Sequence, residues 1–256
     1  MRTASNSVTQ YKNNYLKSVV VRLDYETAID IAENGPPDRF VRSLKKKFPS
    51  LQQVKKREQT LKFSPKGMER EVHEKSEWNL LSQDRTAKLH FGAQHLAITY
   101  SKYKSFSVLK SDFETAFIAL RNEKPELSFT RVGLRYIDQL EFDEADPTDW
   151  GEYLIPELLS SFSLADDKST ISRAFHVLEF NYGDMKMKFQ YGMPNPDFPS
   201  PIKKKLFILD YDAYSQGEVA IDRIMNCLGD YHAKIKRSFE QVITDGLRAK
   251  MGGADG

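Results

Sequence analysis

Val21-Arg22-Leu23-Asp24-Tyr25 and Val132-Gly133-Leu134-Arg135-Tyr136 read as one strand written twice. A constant offset of 111 residues carries Val21, Leu23 and Tyr25 onto Val132, Leu134 and Tyr136. The same offset places Pro36 on Pro147, Leu44 on Ile155 and Phe48 on Leu159. Further on it places Leu96, Ile98, Tyr100 and Tyr103 on Phe207, Leu209, Tyr211 and Tyr214, and Val108, Phe113 and Phe117 on Val219, Ile224 and Leu228. Agreement at one spacing across a first strand, a first helix, a last strand and a last helix is the signature of an internal repeat. Two halves of similar length also align partly because apolar positions are common. The expectation is an α+β chain of two pseudo-repeats, each β-α-(antiparallel β-meander)-α. The two sheets should join edge to edge, with helices packed on one face. By analogy of architecture this points to a TATA-binding-protein-like saddle or a helix-grip fold, neither of which fixes a function.

Element boundaries follow from periodicity. Val19 to Tyr25 alternates as a strand, and Gly35-Pro36-Pro37-Asp38 opens a helix with Phe40, Val41, Leu44 and Phe48 on one face. Residues 51–75 are highly charged and offer one short strand around Leu61-Lys62-Phe63. Trp78–Leu81, Ala87–Phe91 and His95–Tyr100 make a meander, and an amphipathic helix runs from Ser107 to near Pro125. The pattern then restarts. Leu127–Phe142 is a long strand in which Gly133 suggests a bulge, and Asp146-Pro147-Thr148-Asp149 opens a helix containing Tyr153, Leu154, Leu158 and Leu159. Arg173–Tyr182 and Met185–Tyr191 form a hairpin around Gly183-Asp184, Leu206–Tyr211 is the next strand, and Glu218 to about Leu247 is the last helix. The predicted organisation is a flexible arm (1–17), a first repeat (18–126), a second repeat (127–247) and a disordered tail (248–256), the repeats forming one domain.

Composition narrows the function classes. With 38 basic and 36 acidic residues among 256, no global field advertises nucleic acid or membrane. The single cysteine, Cys227, excludes an intramolecular disulfide framework and a cysteine-rich zinc site, and its apolar setting reads as core. No stretch of about 18 apolar residues occurs, and the expected compartment is the cytoplasm.

No P-loop, dinucleotide fingerprint, kinase signature or triad spacing is present, so no catalytic residue is assigned and no cofactor is expected. The densest polar cluster is Arg131-Val132-Gly133-Leu134-Arg135-Tyr136-Ile137-Asp138. Period 2 puts Arg131, Gly133, Arg135 and Ile137 on one face and Val132, Leu134 and Tyr136 on the other. Two guanidinium forks beside a glycine suit a carboxylate or phosphate, and equally suit acidic partners on a neighbouring strand. Asp210 and Asp212 end a strand of the second half and could be those partners; two carboxylates without a third ligand are weak metal evidence. Arg131, Arg135, Tyr136, Asp210 and Asp212 therefore form the candidate ligand site. The run Asp138, Glu141, Asp143, Glu144, Asp146, Asp149 reads as a solvated loop, and His90 and His95 flank a turn at Gly92 without an evident third ligand. Lys203, Lys204 and Lys205, with Tyr100, Tyr103, Tyr211 and Tyr214, are a weaker nucleic-acid candidate.

Arg-Val-Gly-Leu-Arg-Tyr-Ile-Asp (131–138), Ile-Leu-Asp-Tyr-Asp (208–212) and the pattern Leu228…His232…Phe239…Ile243-Thr244 resemble a sporadically distributed family of uncharacterised prokaryotic proteins. The similarity spans roughly residues 14–245, with Gly-Leu-Arg-Tyr as its most specific element. Its patchy distribution implies antiphage-defence or toxin–antitoxin genes. The first functional expectation is accordingly a non-enzymatic regulatory subunit that binds a partner protein through the open sheet face or its rim. The alternative is a small anionic or nucleotide-like ligand in an arginine-lined pocket, with nucleic-acid binding third and no membrane association.

Overall fold

A computed structural model describes residues 11–26, 29, 35–64 and 67–252, the side chains of 56–64 and 67–75 excepted. In chain order the elements are β1 (Leu16–Tyr25), α1 (Asp38–Leu44), β2 (Ser50–Ser64), β3 (Gly67–Leu81), β4 (Ala87–Phe91), β5 (His95–Tyr100), α2 (Phe106–Glu123), β6 (Phe129–Phe142), α3 (Pro156–Leu159), β7 (Ala174–Tyr182), β8 (Met185–Met193), β9 (Lys205–Val219), α4 (Ile224–Val242) and α5 (Asp245–Lys250). The nine strands among the described residues form one antiparallel sheet in the order β2-β3-β4-β5-β1-β6-β9-β8-β7. The fold class is α+β, as the sequence predicts.

The centre of the sheet is the β1–β6 pair, with Val21 opposite Leu134 and Leu23 opposite Val132. Alternation assigns the two faces. Val19, Val21, Leu23, Val132, Leu134, Tyr136, Phe207, Leu209 and Tyr211 are buried on the face that α4 packs against, and α2 packs on α1 and α4. Helix α2 starts where the Ser105 hydroxyl accepts the Val108 N–H, and buries Leu109, Phe113, Phe117 and Leu120 at helical spacing. The Tyr100 hydroxyl donates to buried Asp112 at 2.5 Å, and Lys47 reaches the same carboxylate at 3.0 Å, which ties β5 and the end of α1 to α2. The opposite face keeps Arg22, Asp24, Arg131, Arg135 and Asp212 at least partly in contact with solvent.

Several boundaries differ from the sequence reading. Residues 51–75 are not a loop with one short strand: β2 and β3 pair in unbroken register from Ser50–Leu81 to Ser64–Gly67. Their charged sequence lacks the apolar alternation that periodicity detects. Asp146 does not open a helix; its carboxylate accepts the Thr148 N–H and hydroxyl, both at 2.8 Å, and closes a side-chain turn. Tyr153 and Leu154 lie outside helix, and helical backbone begins only with Pro156 at the first position of α3. The last helix is split, because β9 runs on to Val219 and Thr244 caps a separate α5 by accepting the Leu247 N–H. Gly133 is in register with Arg22 and Tyr214, so it is no bulge; the nearby register shift falls between Phe129 and Arg131. Leu16 and Lys17 of the expected arm belong to β1, and the Tyr11 hydroxyl donates to Glu240 at 2.8 Å. The expected disordered tail contains the end of α5 and Met251, which is 1% exposed and accepts the Asn13 N–H. Residues 1–10 and 253–256 lie outside the described residues. No helix among the described residues is long and apolar enough to cross a membrane.

Candidate functional site

The expected site residues divide between the two faces of the sheet. On the open face Arg135 grips Asp210 with both prongs of its fork, at 2.8 and 2.6 Å. Arg131 Nη2 donates to both oxygens of Asp212, at 3.2 and 3.0 Å, and Arg22 pairs with Asp24 at 2.7 Å. The bidentate grip raises the Arg135 pKa, and burial holds Asp212 above the ordinary carboxylate range despite Arg131 and Arg135. Gly133 supplies clearance: a Cβ there would lie 2.8 Å from Arg131 Nη1. Val20, Arg22, Asp24, Arg131, Gly133, Arg135 and Asp212 line a shallow depression. Its charges are already matched within the sheet, Arg22 by Asp24, Arg131 by Asp212 and Arg135 by Asp210. That is the acidic-partner reading of this cluster.

Tyr136 points the other way. It lines a cavity of about 300 Å³ between the sheet, the start of α2 and the length of α4. Tyr11, Tyr15 and Leu16 close one side, and Phe106, Ile235 and Phe239 supply apolar wall. Inside it the Tyr103 and Tyr136 hydroxyls are 2.8 Å apart, and the Tyr136 hydroxyl is 2.9 Å from His232 Nδ1. The His232 ring stacks on Phe106 at 4.2 Å with planes 3° apart. Burial, and then the neighbouring Lys236 charge, pull the His232 pKa from 6.5 down to about 4, so the imidazole is neutral and can either donate or accept.

Asn14, Lys104, Ser105, Lys236, Glu240 and Met251 complete the wall together with Asp138, which is only 6% exposed. Burial first, and the Asp210 charge second, raise its pKa from 3.8 to about 7. Its carboxyl receives no hydrogen bond from any described residue. Tyr211, on the adjacent strand and the same face, has a buried hydroxyl that also finds no partner among the described residues; burial and the Asp138 charge raise its pKa. Buried polar groups without partners are rare in folded proteins, and Asp138, whose carboxyl lies in the cavity wall, marks where a ligand or water atom belongs.

Sequence reasoning missed Asp138 by grouping it with the solvated acidic run. The signal was present: Asp138 continues the alternation Val132, Leu134, Tyr136 and so belongs to the core face. Glu144 of the same run is also not simply solvated. It pairs with Lys205 at 2.7 Å and Lys250 at 3.0 Å and accepts the Tyr153 hydroxyl at 2.6 Å, which hold its pKa down at about 2. That pairing buries Lys205 beside the Trp150 ring, leaving Lys203 and Lys204 exposed. Tyr100 and Tyr211 are buried, so the basic strip with exposed aromatics does not assemble as expected. His90 and His95 do meet on the open face, where Glu77 joins them. Neither a protein-family model nor a curated protein of known function matches this chain.

Proposed function

We propose that this chain is a binding protein whose cavity between the sheet and helices α2 and α4 takes a small amphipathic ligand. An apolar pocket with a few convergent polar groups and a perturbed titratable residue is the usual form of such sites. Asp138 carries the reading: a buried carboxyl without a partner favours a ligand that brings an amine or hydroxyl donor. This replaces the anionic ligand expected from the sequence, since Arg131 and Arg135 lie on the other face and already hold carboxylates. Tyr15, Phe106 and His232 favour an aromatic or aliphatic body packed beside that donor. The arrangement also supports the helix-grip comparison. Outward from the β1–β6 pair, β5-β4-β3 on one side corresponds to β9-β8-β7 on the other, with β2 in addition, which supports the internal duplication and the saddle-like variant of the fold.

Phenethylamine, phenethyl alcohol and phenylacetate share one body and differ in head group, so melting curves with each test the proposal. The amine and the alcohol should stabilise the protein, and Asp138→Asn should abolish the preference for the amine. Equal stabilisation by phenylacetate, or an unchanged ranking in Asp138→Asn, would sink it.

A second reading, a regulatory subunit docking onto a partner protein, is favoured by β7. This strand ends the sheet among the described residues, so one row of its backbone groups faces no other described strand. It exposes Phe175, Val177, Leu178 and Tyr182 at 41–51%. Long apolar edge strands invite strand addition by another chain. A partner of the defence or toxin–antitoxin kind, as the family resemblance implies, would be captured by the native protein and lost on Val177→Lys. Capture unaffected by that change would count against this edge.

A further inference from the structure

We infer that Glu77, His90 and His95 form a binding site for a zinc-class divalent metal ion on the open face of the sheet. The three residues come from three successive strands, β3, β4 and β5. Asn79 pairs with His90 and His90 with Ala97, so Glu77, two before Asn79, and His95, two before Ala97, share the face of His90. One ligand atom from each residue lies within 4.8 Å of the others.

Two local features gather them. The Gly92 N–H bonds to the His95 carbonyl at 2.9 Å, placing Gly92 beside His95 at the end of β4. A Cβ on Gly92 would stand 2.5 Å from His95 Cε1, so the absent side chain lets the His95 ring lie across β4. That ring stacks on His90 at 4.8 Å. On the far side of His90, Nδ1 is 2.9 Å from the Asn79 amide oxygen. With Nδ1–H donated to that oxygen, the tautomer is fixed and the Nε2 lone pair faces outward, the arrangement that outer partners impose on metal-binding histidines.

That lone pair points at a carboxylate: His90 Nε2 is 3.1 Å from Glu77 Oε2. Two acceptors at this distance repel unless a positive charge lies between them, either a proton on the imidazole or a metal ion. Zinc bonds of about 2.0–2.2 Å put the ligands of a tetrahedral ion roughly 3.3 Å apart. The His90–Glu77 separation is close to that value, and rotation of the His95 ring brings its nitrogen in. Two imidazoles and one carboxylate suit zinc, nickel or copper better than calcium or magnesium. The burial of Glu77 and half-burial of both histidines set this cluster apart from a surface carboxylate patch.

Zinc chloride titrated by calorimetry at pH 8 into the 256-residue chain stripped with chelator provides the test, with Co²⁺ absorption as an independent readout. The expected result is uptake of one ion per chain, lost in Glu77→Gln and His95→Asn variants. Asn79→Ala should weaken binding ~10–100-fold by freeing the His90 ring. His95→Asn must melt like wild type by circular dichroism; if it does not, loss of the Co²⁺ ligand-field bands in His90→Gln serves instead. No Zn²⁺ uptake by wild type, as expected if a proton alone bridges His90 and Glu77, overturns the inference. Uptake equal to that of a folded His95→Asn variant overturns it too.

Discussion

Replacing Asp138 by Asn should change how stability depends on pH, and the change can be worked out in advance. The folded pKa of Asp138 is raised from 3.8 to about 7. A raised carboxyl contributes stability that is complete below pH 4 and is lost as pH climbs to 7, because the unfolded chain ionises first. His232 acts in the opposite sense. Its folded pKa is lowered from 6.5 to about 4, so its contribution is present above 6.5 and lost as pH falls through 4. Between pH 4 and 6.5 each group contributes a slope of about 1.36 kcal/mol per pH unit, of opposite sign, and the two largely cancel. Asn keeps the shape of the side chain and removes only the first slope. Relative to wild type, Asp138→Asn should therefore gain stability steadily from pH 4.5 to 7 and level off above. The full gap between 3.8 and about 7 corresponds to a ceiling of ~4 kcal/mol, and relaxation around a buried charge reduces this to about 2–3 kcal/mol. Urea midpoints at pH 4.5, 5.5, 6.5 and 8 measure it, and every group common to both proteins drops out of the difference. Parallel curves across that range would refute the assignment of Asp138 as a buried acid, and with it the chemistry of the cavity.

Tyr136→Phe removes a hydroxyl shared by Tyr103 and His232, and should cost about 1–2 kcal/mol by urea unfolding while the cavity-directed melting shift with phenethyl alcohol falls. Gly192→Ala should be severe, on the order of 3 kcal/mol or more: φ there is +146° and a Cβ would lie 2.0 Å from the Ala174 carbonyl oxygen across the β7–β8 pair. Limited proteolysis of that variant should cut first in β7. Arg135→Ala should cost about 1–3 kcal/mol because Asp210 is left buried without its fork, whereas Arg135→Met with Asp210→Leu should recover most of the loss. A double variant as unstable as the single one would show that the pair does more than neutralise itself.

Part of this architecture is legible in the sequence because alternation and spacing are geometric. The faces of β6 follow from counting by two, and so does the match of Arg131 and Arg135 to two carboxylates spaced by two on the next strand. Charge-rich segments are opaque for the same reason. In β2 and β3 there is no apolar alternation to count, so the sequence pattern for the strand ending at Leu81 begins at Trp78, whereas the strand itself begins at Gly67. That boundary hid Glu77, one residue outside the expected strand, and left the two histidines without a visible third ligand. Asp146 misled in another way. A helix start and a side-chain turn use the same residue types, and only the geometry at Thr148 tells them apart. Asp138 was obscured by its neighbours, since five further acidic residues within eleven positions suggest a wet loop.

The two faces of the sheet are electrostatically joined through β6 and β9. Ile137 is opposite Asp210, and Asp138, the next residue, turns to the other side. The second cause of the raised Asp138 pKa is the charge of Asp210, which Arg135 holds on the open face. Burial alone sets most of the shift, but the remainder depends on how completely Arg135 neutralises its partner. An anion that pulled Arg135 away from Asp210 would therefore favour the protonated form of Asp138. The Asp138 carboxyl would then be neutral, and under the proposed reading an amine would lose its advantage over a hydroxyl at that point of the wall. The open-face pair Arg135–Asp210, which does not line the cavity, thus bears on the charge of a residue in its wall through one backbone step.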